Sequence, residues 1–131
     1  MQKISLEKKL SILIDREFEF YAQNPELPGF VLNEIGKNPT LAEQNRAAFK
    51  RMEQTGVFQE AIDAQLSGKM RKLDMFDLTM LIMSNCQFPF ISKSLMSSIM
   101  DIDPEILNEK IMNYKHVVSS MLLNYIFKNE K

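Results

Sequence analysis

The chain has 131 residues, a net charge of −1 and a 45% hydrophobic composition. This length suffices for one domain with a substantial core, so we expect a single domain over residues 1–131. The hydrophobic content excludes a disordered tail, and the near-neutral charge argues against a domain that holds DNA or RNA by a basic surface. The single cysteine, Cys86, excludes a disulfide framework.

The most apolar stretch covers residues 75–90 and is interrupted by Asp77, Asn85, Gln87 and Pro89. A membrane-spanning helix needs about 18 consecutive apolar residues. The first ten residues carry several charges in place of an apolar signal core. We therefore expect a cytoplasmic protein with no membrane partner.

The first predicted helix covers residues 4–23. Glu17 falls in the middle of its apolar face when positions advance by about 100° per residue. Two interpretations stay open: Glu17 pairs with an Arg or Lys of a neighbouring helix, or it faces an internal cavity. The apolar face itself holds Leu6, Leu10, Leu13, Ile14, Phe20 and Tyr21.

Asn24-Pro25 and Asn38-Pro39 each predict the end of one helix and the start of the next. The residue before a proline disfavours helical geometry, and Asn is a good N-cap. The short helix between them includes Ile35 and ends at Gly36.

Residues 40–67 form a helical stretch with Gly56 inside it. The stripe from Leu41 to Leu66 keeps alternating spacings of four and three across that glycine, which predicts one long helix bent at Gly56. Asn45, Thr55 and Gln59 are polar positions on this stripe. They either lie near solvent and bond to backbone, or line a cavity and contact a ligand.

A basic cluster of Lys69, Arg71 and Lys72 follows Gly68, and its ordinary role is to complement the dipole of the helix that ends there. The next helix is predicted over residues 74–88. Asp74 caps it, and it is apolar on nearly every side, so it should be buried. The segment Gln87-Phe88-Pro89-Phe90 is predicted to end it, and a short amphipathic helix follows over residues 91–100.

The last predicted helix covers residues 103–127, with Asp103 as N-cap and Pro104 in the first position. Its second half is apolar on nearly every side, so it must be covered on more than one face. One cover is the domain's own core, and the other is a second copy of the protein. The predicted dimer interface is Leu107, Ile111, Tyr114, Val118, Met121, Leu122 and Tyr125.

The sequence offers little for catalysis. His116 is the one histidine, too few for a zinc or bundle-type metal site. Cys86 lies in an apolar run without a nearby histidine, and no glycine-rich phosphate loop occurs. We expect no cofactor, no metal and no catalytic residue. Ten methionines and nine phenylalanines either fill an ordinary core or line a cavity that accepts several ligands.

In element order the chain resembles the C-terminal domain of TetR-family transcriptional regulators. Residues 24–35, from Asn24-Pro25-Glu26-Leu27-Pro28 to Ile35, are similar to the turn after that family's first regulatory-domain helix. Lys69-Met70-Arg71-Lys72-Leu73-Asp74 is similar to the basic turn before its penultimate long helix. Phe88-Pro89-Phe90 then precedes a final long helix.

The resemblance implies an all-α, antiparallel bundle of about six helices. It also implies dimerisation through the last two long helices, here residues 74–88 and 104–127, packed as a four-helix bundle. A small apolar or amphipathic effector would enter between the first helix, the long middle helix and the 74–88 helix. The candidate pocket residues are Glu17, Phe18, Tyr21, Asn45, Phe49, Met52, Gln59 and Met83.

The family's N-terminal helix-turn-helix domain has no counterpart in this sequence. Residues 91–115 would present an acidic start at Glu105 to DNA, which does not suit base and phosphate contacts. The expected function is the effector-binding and dimerisation domain of a ligand-responsive regulator, reaching DNA only through a separate domain. It would be either cut from a longer regulator or a member that lost DNA binding. Alternatives are a free-standing helical interaction module and, more weakly, an enzyme that uses a buried Glu17.

Overall fold

A computed structural model describes residues 4–34 and 36–127, without the side chain of Ala48; Ile35 lies outside the described residues. This part of the chain forms seven helices and no strand, which confirms the predicted all-α class. None of the described helices is long and apolar enough to cross a membrane. The helices are α1 (Leu6–Gln23), α2 (Leu27–Glu34), α3 (Pro39–Gln54), α4 (Val57–Leu66), α5 (Met75–Ile91), α6 (Lys93–Met100) and α7 (Pro104–Phe127).

The centre of the domain is a layer in which α1 packs against α7 and α5, and α5 packs against α7. Burial of one large apolar side chain stabilises a fold by about 1.5–3 kcal/mol, so this three-helix contact is the main source of stability. The buried apolar side chains of the three helices are Leu10, Ile14, Phe18, Leu78, Ile82, Cys86, Phe90, Leu107, Ile111, Val118, Leu122 and Ile126.

The buried face of α1 differs from the predicted one at its C-terminal end. Phe20 was expected on the apolar face, but it is 49% exposed, whereas Phe18 is 0% exposed. Phe18 continues the spacing of four set by Leu10 and Ile14, and its ring meets Phe90 edge-on at a centroid distance of 5.8 Å. Phe20 points away because two positions along a helix differ by about 200°.

The prediction of one long helix over residues 40–67 is wrong. α3 ends at Gln54 and α4 begins at Val57. Gly56 has φ = 85°, a left-handed conformation that a residue without Cβ adopts readily. Thr55 Oγ1 donates to the carbonyl of Met52 at 2.6 Å and closes the last turn of α3. The apolar residues keep the same spacing on both sides of the turn. This spacing indicates which face of a helix is apolar, but it does not indicate the direction of the helix axis.

The predicted end of the fifth helix is also wrong, since α5 continues through Pro89 to Ile91. An interior proline removes the hydrogen bond of its own nitrogen and crowds the carbonyl four residues earlier, but the helix can resume beyond it. The backbone N–H of Ser92 donates to the carbonyl of Phe88 at 2.9 Å, so hydrogen bonding resumes past Pro89. α5 therefore ends about one turn later than predicted, shortly before the start of α6.

Arg71 fastens the loop between α4 and α5 to the last turn of α7. Its backbone N–H donates to the carbonyl of Ile126 at 2.7 Å, and its Nε donates to that of Tyr125 at 2.8 Å. Its guanidinium lies 4.1 Å from the centroid of the Tyr125 ring. The last carbonyls of a helix have no partner within it, so Arg71 complements the end of α7 and not, as the sequence suggested, the helix before it.

Replacing Arg71 by Ala is expected to lower the free energy of unfolding by about 2 kcal/mol, since it removes a charge-assisted hydrogen bond and a cation–π contact. The urea midpoint measures this loss. Lys69→Ala is the control, because Lys69 is an exposed cation of the same loop. Equal midpoints for the two variants would contradict the role given to Arg71.

Candidate functional site

α1, α3, α4 and α5 surround a partly open, apolar cavity of about 230 Å³. Ligand pockets are typically lined by hydrophobic side chains with a few placed polar groups, and this cavity has that character. Its polar lining side chains are Glu17, Asn45 and Thr79. The described residues that line it are Leu6, Leu10, Leu13, Glu17, Asn45, Phe49, Met52, Val57, Phe58, Ala61, Met75, Leu78, Thr79, Ile82 and Met83.

The turn at Gly56 builds one wall of the cavity by folding α3 back against α4. The rings of Phe49 on α3 and Phe58 on α4 lie 5.1 Å apart between centroids. None of the described side chains of α3 is buried, and α3 packs mainly against α4. Phe49 and Met52 therefore edge the cavity while keeping 44% and 39% of their surface exposed. α3 covers the cavity without belonging to the core.

Glu17 is the one ionisable side chain among the described residues that line the cavity. Burial raises its pKa above the ordinary 4.5, and a hydrogen bond with Tyr21 opposes that rise. The ion pairs described in this chain join Lys9 to Glu60 and Lys115 to Asp15, and neither includes Glu17. The interpretation of Glu17 as half of an interhelical ion pair is therefore not supported in the described part of the chain.

Tyr21 lies between Glu17 and Gln87. Gln87 on α5 donates from Nε2 to the Tyr21 hydroxyl oxygen at 2.9 Å, which leaves the hydroxyl proton for Glu17. Burial, together with the Glu17 charge, raises the pKa of Tyr21 to about 12 and that of Cys86 to about 12. Both side chains therefore stay protonated and uncharged at neutral pH, so neither carries a charge that could pair with Glu17.

The predicted pocket residues divide into two groups. Glu17, Asn45, Phe49, Met52 and Met83 lie on the wall or rim of the cavity. Phe18, Tyr21 and Gln59 do not line it.

Each of the three misplaced residues has a physical reason for its position. Phe18 lies one residue beyond Glu17 and so turns by about 100° into the core. Tyr21 packs on Phe90, with ring centroids 5.8 Å apart. Gln59 is exposed, and its Nε2 donates to Asp63 Oδ1 at 3.0 Å on its own helix.

The polar positions of the predicted middle helix satisfy themselves locally. Asn45 Nδ2 donates to the carbonyl of Leu41 at 2.8 Å, and Thr55 and Gln59 also bond within their own segments. All three side chains are exposed, so these polar positions do not indicate a buried ligand site. Asn45 still reaches the rim, but Glu17 supplies the charge of the cavity.

Sequence reasoning missed much of the cavity wall, including Val57, Phe58, Ala61 and Thr79. Val57, Phe58 and Ala61 enter through the change of direction at Gly56, which the unbroken periodicity concealed. Thr79 carried a signal, because it is a polar residue within the apolar α5.

The predicted dimer interface also divides. Leu107, Ile111, Val118 and Leu122 are between 0% and 6% exposed, because α1, α5 and α6 of the same chain pack against α7. Tyr114, Met121 and Tyr125 are 39%, 46% and 45% exposed. The predicted interface residues are therefore split between the seam of α7 with its own core and an exposed face of α7.

An apolar surface, here called the α5–α7 face, remains uncovered in the single chain. Met121 and Tyr125 border a groove that continues onto Met80 of α5. One chain alone therefore covers these helices only in part, and the cover of the remaining face by a second copy stays a prediction. Of the exposed apolar side chains on α5 and α7, the groove joins Met80, Met121 and Tyr125, and we assign to the same face Phe76, Phe88, Tyr114 and Val117.

Glu17→Gln is expected to stabilise the protein at neutral pH. Burial raises the pKa of Glu17 in the folded state, so its contribution to stability is complete below about pH 4.5 and is lost as the pH rises through the folded-state pKa. The amide oxygen of Gln still accepts from Tyr21. Thermal midpoints measured from pH 4 to pH 8 should show the variant gaining over the wild type only at the upper end.

Glu19→Gln is the matched control, because Glu19 is exposed on the same helix and the substitution removes the same charge. Parallel pH curves for the wild type and Glu17→Gln would contradict the burial of that carboxyl.

No family model, curated protein or solved structure matches the chain. Among the described residues, no group of three or more His, Cys, Asp or Glu side chains is arranged to hold a metal ion. The cavity and the α5–α7 face are therefore the two features of the described chain that suit a binding function.

Proposed function

We propose that this chain is the small-molecule-binding and homodimerisation domain of a TetR-type, ligand-responsive transcriptional regulator. The observation that carries the proposal is the apolar cavity of about 230 Å³ with a single carboxyl in its wall. A cavity of this kind suits a small apolar or amphipathic effector held by burial and oriented by one polar contact.

The placement of α3 offers a route from binding to a response. α3 rests on α4 through Phe49 and Phe58 and is joined to it by the turn at Gly56. A ligand in the cavity would contact α3 through Phe49 and Met52 and α1 through Leu10 and Leu13. It would therefore favour the placement of α3 that completes the wall, which is the differential affinity that a two-state response requires.

The α5–α7 face supports the proposal that the domain forms a homodimer. Its side chains come from the two long helices that the resemblance assigns to the dimer. Val117, for example, has 56% of its surface exposed. Large contiguous apolar patches on a single chain are typical of interaction sites. Two copies would bury this face symmetrically and transmit a shift within one subunit to DNA-reading domains joined to both.

Methyl NMR with labelled methionine tests the cavity. Met52, Met75 and Met83 line it, whereas Met100 and Met121 do not. Titration with 4-phenyl-1-butanol, an apolar probe with one hydroxyl, should shift the first three methyl signals and leave the other two unchanged. Uniform shifts, or none, would count against a ligand-binding cavity.

Ala61→Met is expected to abolish binding of 4-phenyl-1-butanol. Ala61 is 2% exposed and lines the cavity, so the longer side chain would occupy ligand space. Ala22→Met, at an exposed position of α1, is the control. Retained binding in Ala61→Met with an intact fold would place the probe elsewhere.

The solution mass separates the proposal from the alternative of a free-standing interaction module. A concentration-dependent symmetric dimer is expected from sedimentation equilibrium. A monomer up to high micromolar concentration would favour a module that docks a different partner.

A further inference from the structure

The charge of Glu17 has no counter-ion among the described residues. The other side chains that line the cavity are apolar or neutral, and the Lys9 ammonium of α1 already pairs with Glu60 at 2.8 Å. Tyr21 and Cys86, the titratable groups that face Glu17 from α1 and α5, remain neutral at physiological pH. A carboxylate in this position loses hydration without gaining an ionic partner.

We propose that the cavity selects small amphipathic amines, whose protonated nitrogen donates to the Glu17 carboxylate. This inference rests on the proposed role of the cavity as a ligand site. An ammonium supplies the missing positive charge and several N–H donors, and charge-assisted hydrogen bonds are about twice as strong as neutral ones. A neutral hydroxyl would supply one donor and no charge, and an anionic ligand would be repelled.

The dimensions restrict the rest of the ligand. An apolar cavity of about 150 Å³ holds benzene. The cavity of about 230 Å³ therefore fits one aromatic ring or a short alkyl chain together with the amine. Phe49 and Phe58, at a centroid distance of 5.1 Å, present aromatic surface to that apolar portion.

The pairing predicts a definite pH dependence. The ammonium binds the ionised form of Glu17, so the affinity for an amine should fall as the pH drops through the pKa of that carboxyl. Tyr21 and Cys86 do not change their charge between pH 4 and pH 8, since the pKa of each is raised to about 12. A neutral ligand should bind with nearly the same affinity across this range.

The test compares 4-phenylbutylamine with 4-phenyl-1-butanol, which differ only in the terminal group. The amine is protonated at pH 8, as a lysine side chain is. Calorimetric titration of the wild-type chain at pH 8 should show the amine binding at least tenfold more tightly. Glu17→Gln should abolish this preference, while Glu19→Gln should preserve it.

The outcomes separate this inference from the proposed function. Equal binding of the two probes to the wild type, which needs no variant, would overturn the selectivity and leave the cavity as a ligand site. A preference for the amine that persists in folded Glu17→Gln, or that does not fall between pH 8 and pH 4, would also overturn it. Failure of both probes to shift the methyl signals of Met52 and Met83 would overturn the proposed function as well.

Discussion

Val118→Glu is expected to unfold the protein. Val118 is 0% exposed in the layer formed by α1, α5 and α7, so the new carboxylate would be buried without a partner. A buried, unpaired charge costs about 3–5 kcal/mol, and the lost packing adds to this. Most domains have only about 5–15 kcal/mol of stability. Far-UV circular dichroism should show loss of helix, or the protein should be recovered only from inclusion bodies.

Val117→Glu is the matched control one residue earlier. Val117 is 56% exposed on the α5–α7 face, so the same substitution should leave the helical signal and the thermal midpoint of the monomer nearly unchanged. Met121→Glu, at a position 46% exposed on the same face, should behave alike and weaken the proposed dimer by at least tenfold. A folded Val118→Glu would refute the placement of α7 in the core.

The starts of α3 and α5 were predictable from the sequence. Asp74 accepts a hydrogen bond from the N–H of Asp77 at 2.8 Å, and Asn38 accepts one from the N–H of Thr40 at 3.0 Å, as their positions before helical stretches predict. Such caps are local, because the donor lies two or three residues from the acceptor. A single sequence therefore contains all the information that they require.

The sequence did not predict in the same way which element packs against each apolar helix face. Leu107 and Ile111 mark a helix seam in the sequence, but periodicity does not say whether the partner is α1 or a second subunit. Exposure in the folded chain decides between them, because both residues are only 6% exposed within one subunit. The dimer proposal consequently moves to neighbouring positions such as Val117 and Met121.

The unusual position of Glu17 was predictable from the sequence, because the periodicity of α1 alone places this carboxyl on an apolar face. A carboxyl in the middle of an apolar face must meet a cation, water or a cavity, and the structure puts it on a cavity wall. Phe58 and Ala61 were not readable, since their approach depends on the left-handed turn at Gly56. Local chemistry thus identified the charged group of the site, while tertiary structure determined its apolar walls.

Phe18→Ala is expected to lower the free energy of unfolding by about 3–5 kcal/mol, the usual loss for a buried phenylalanine. Phe18 is 0% exposed, and its edge-on contact with Phe90 at 5.8 Å would be lost. Guanidinium denaturation measures the loss of stability.

Phe20→Ala gives the comparison that separates the observed α1 from the predicted one. Phe20 is 49% exposed, so its truncation should lower the free energy of unfolding by about 1 kcal/mol or less. The sequence pattern, which set Phe20 on the buried face, anticipates a large effect there. If Phe20→Ala proved as destabilising as Phe18→Ala, α1 would have to be rotated, and Glu17 would leave the cavity wall with it.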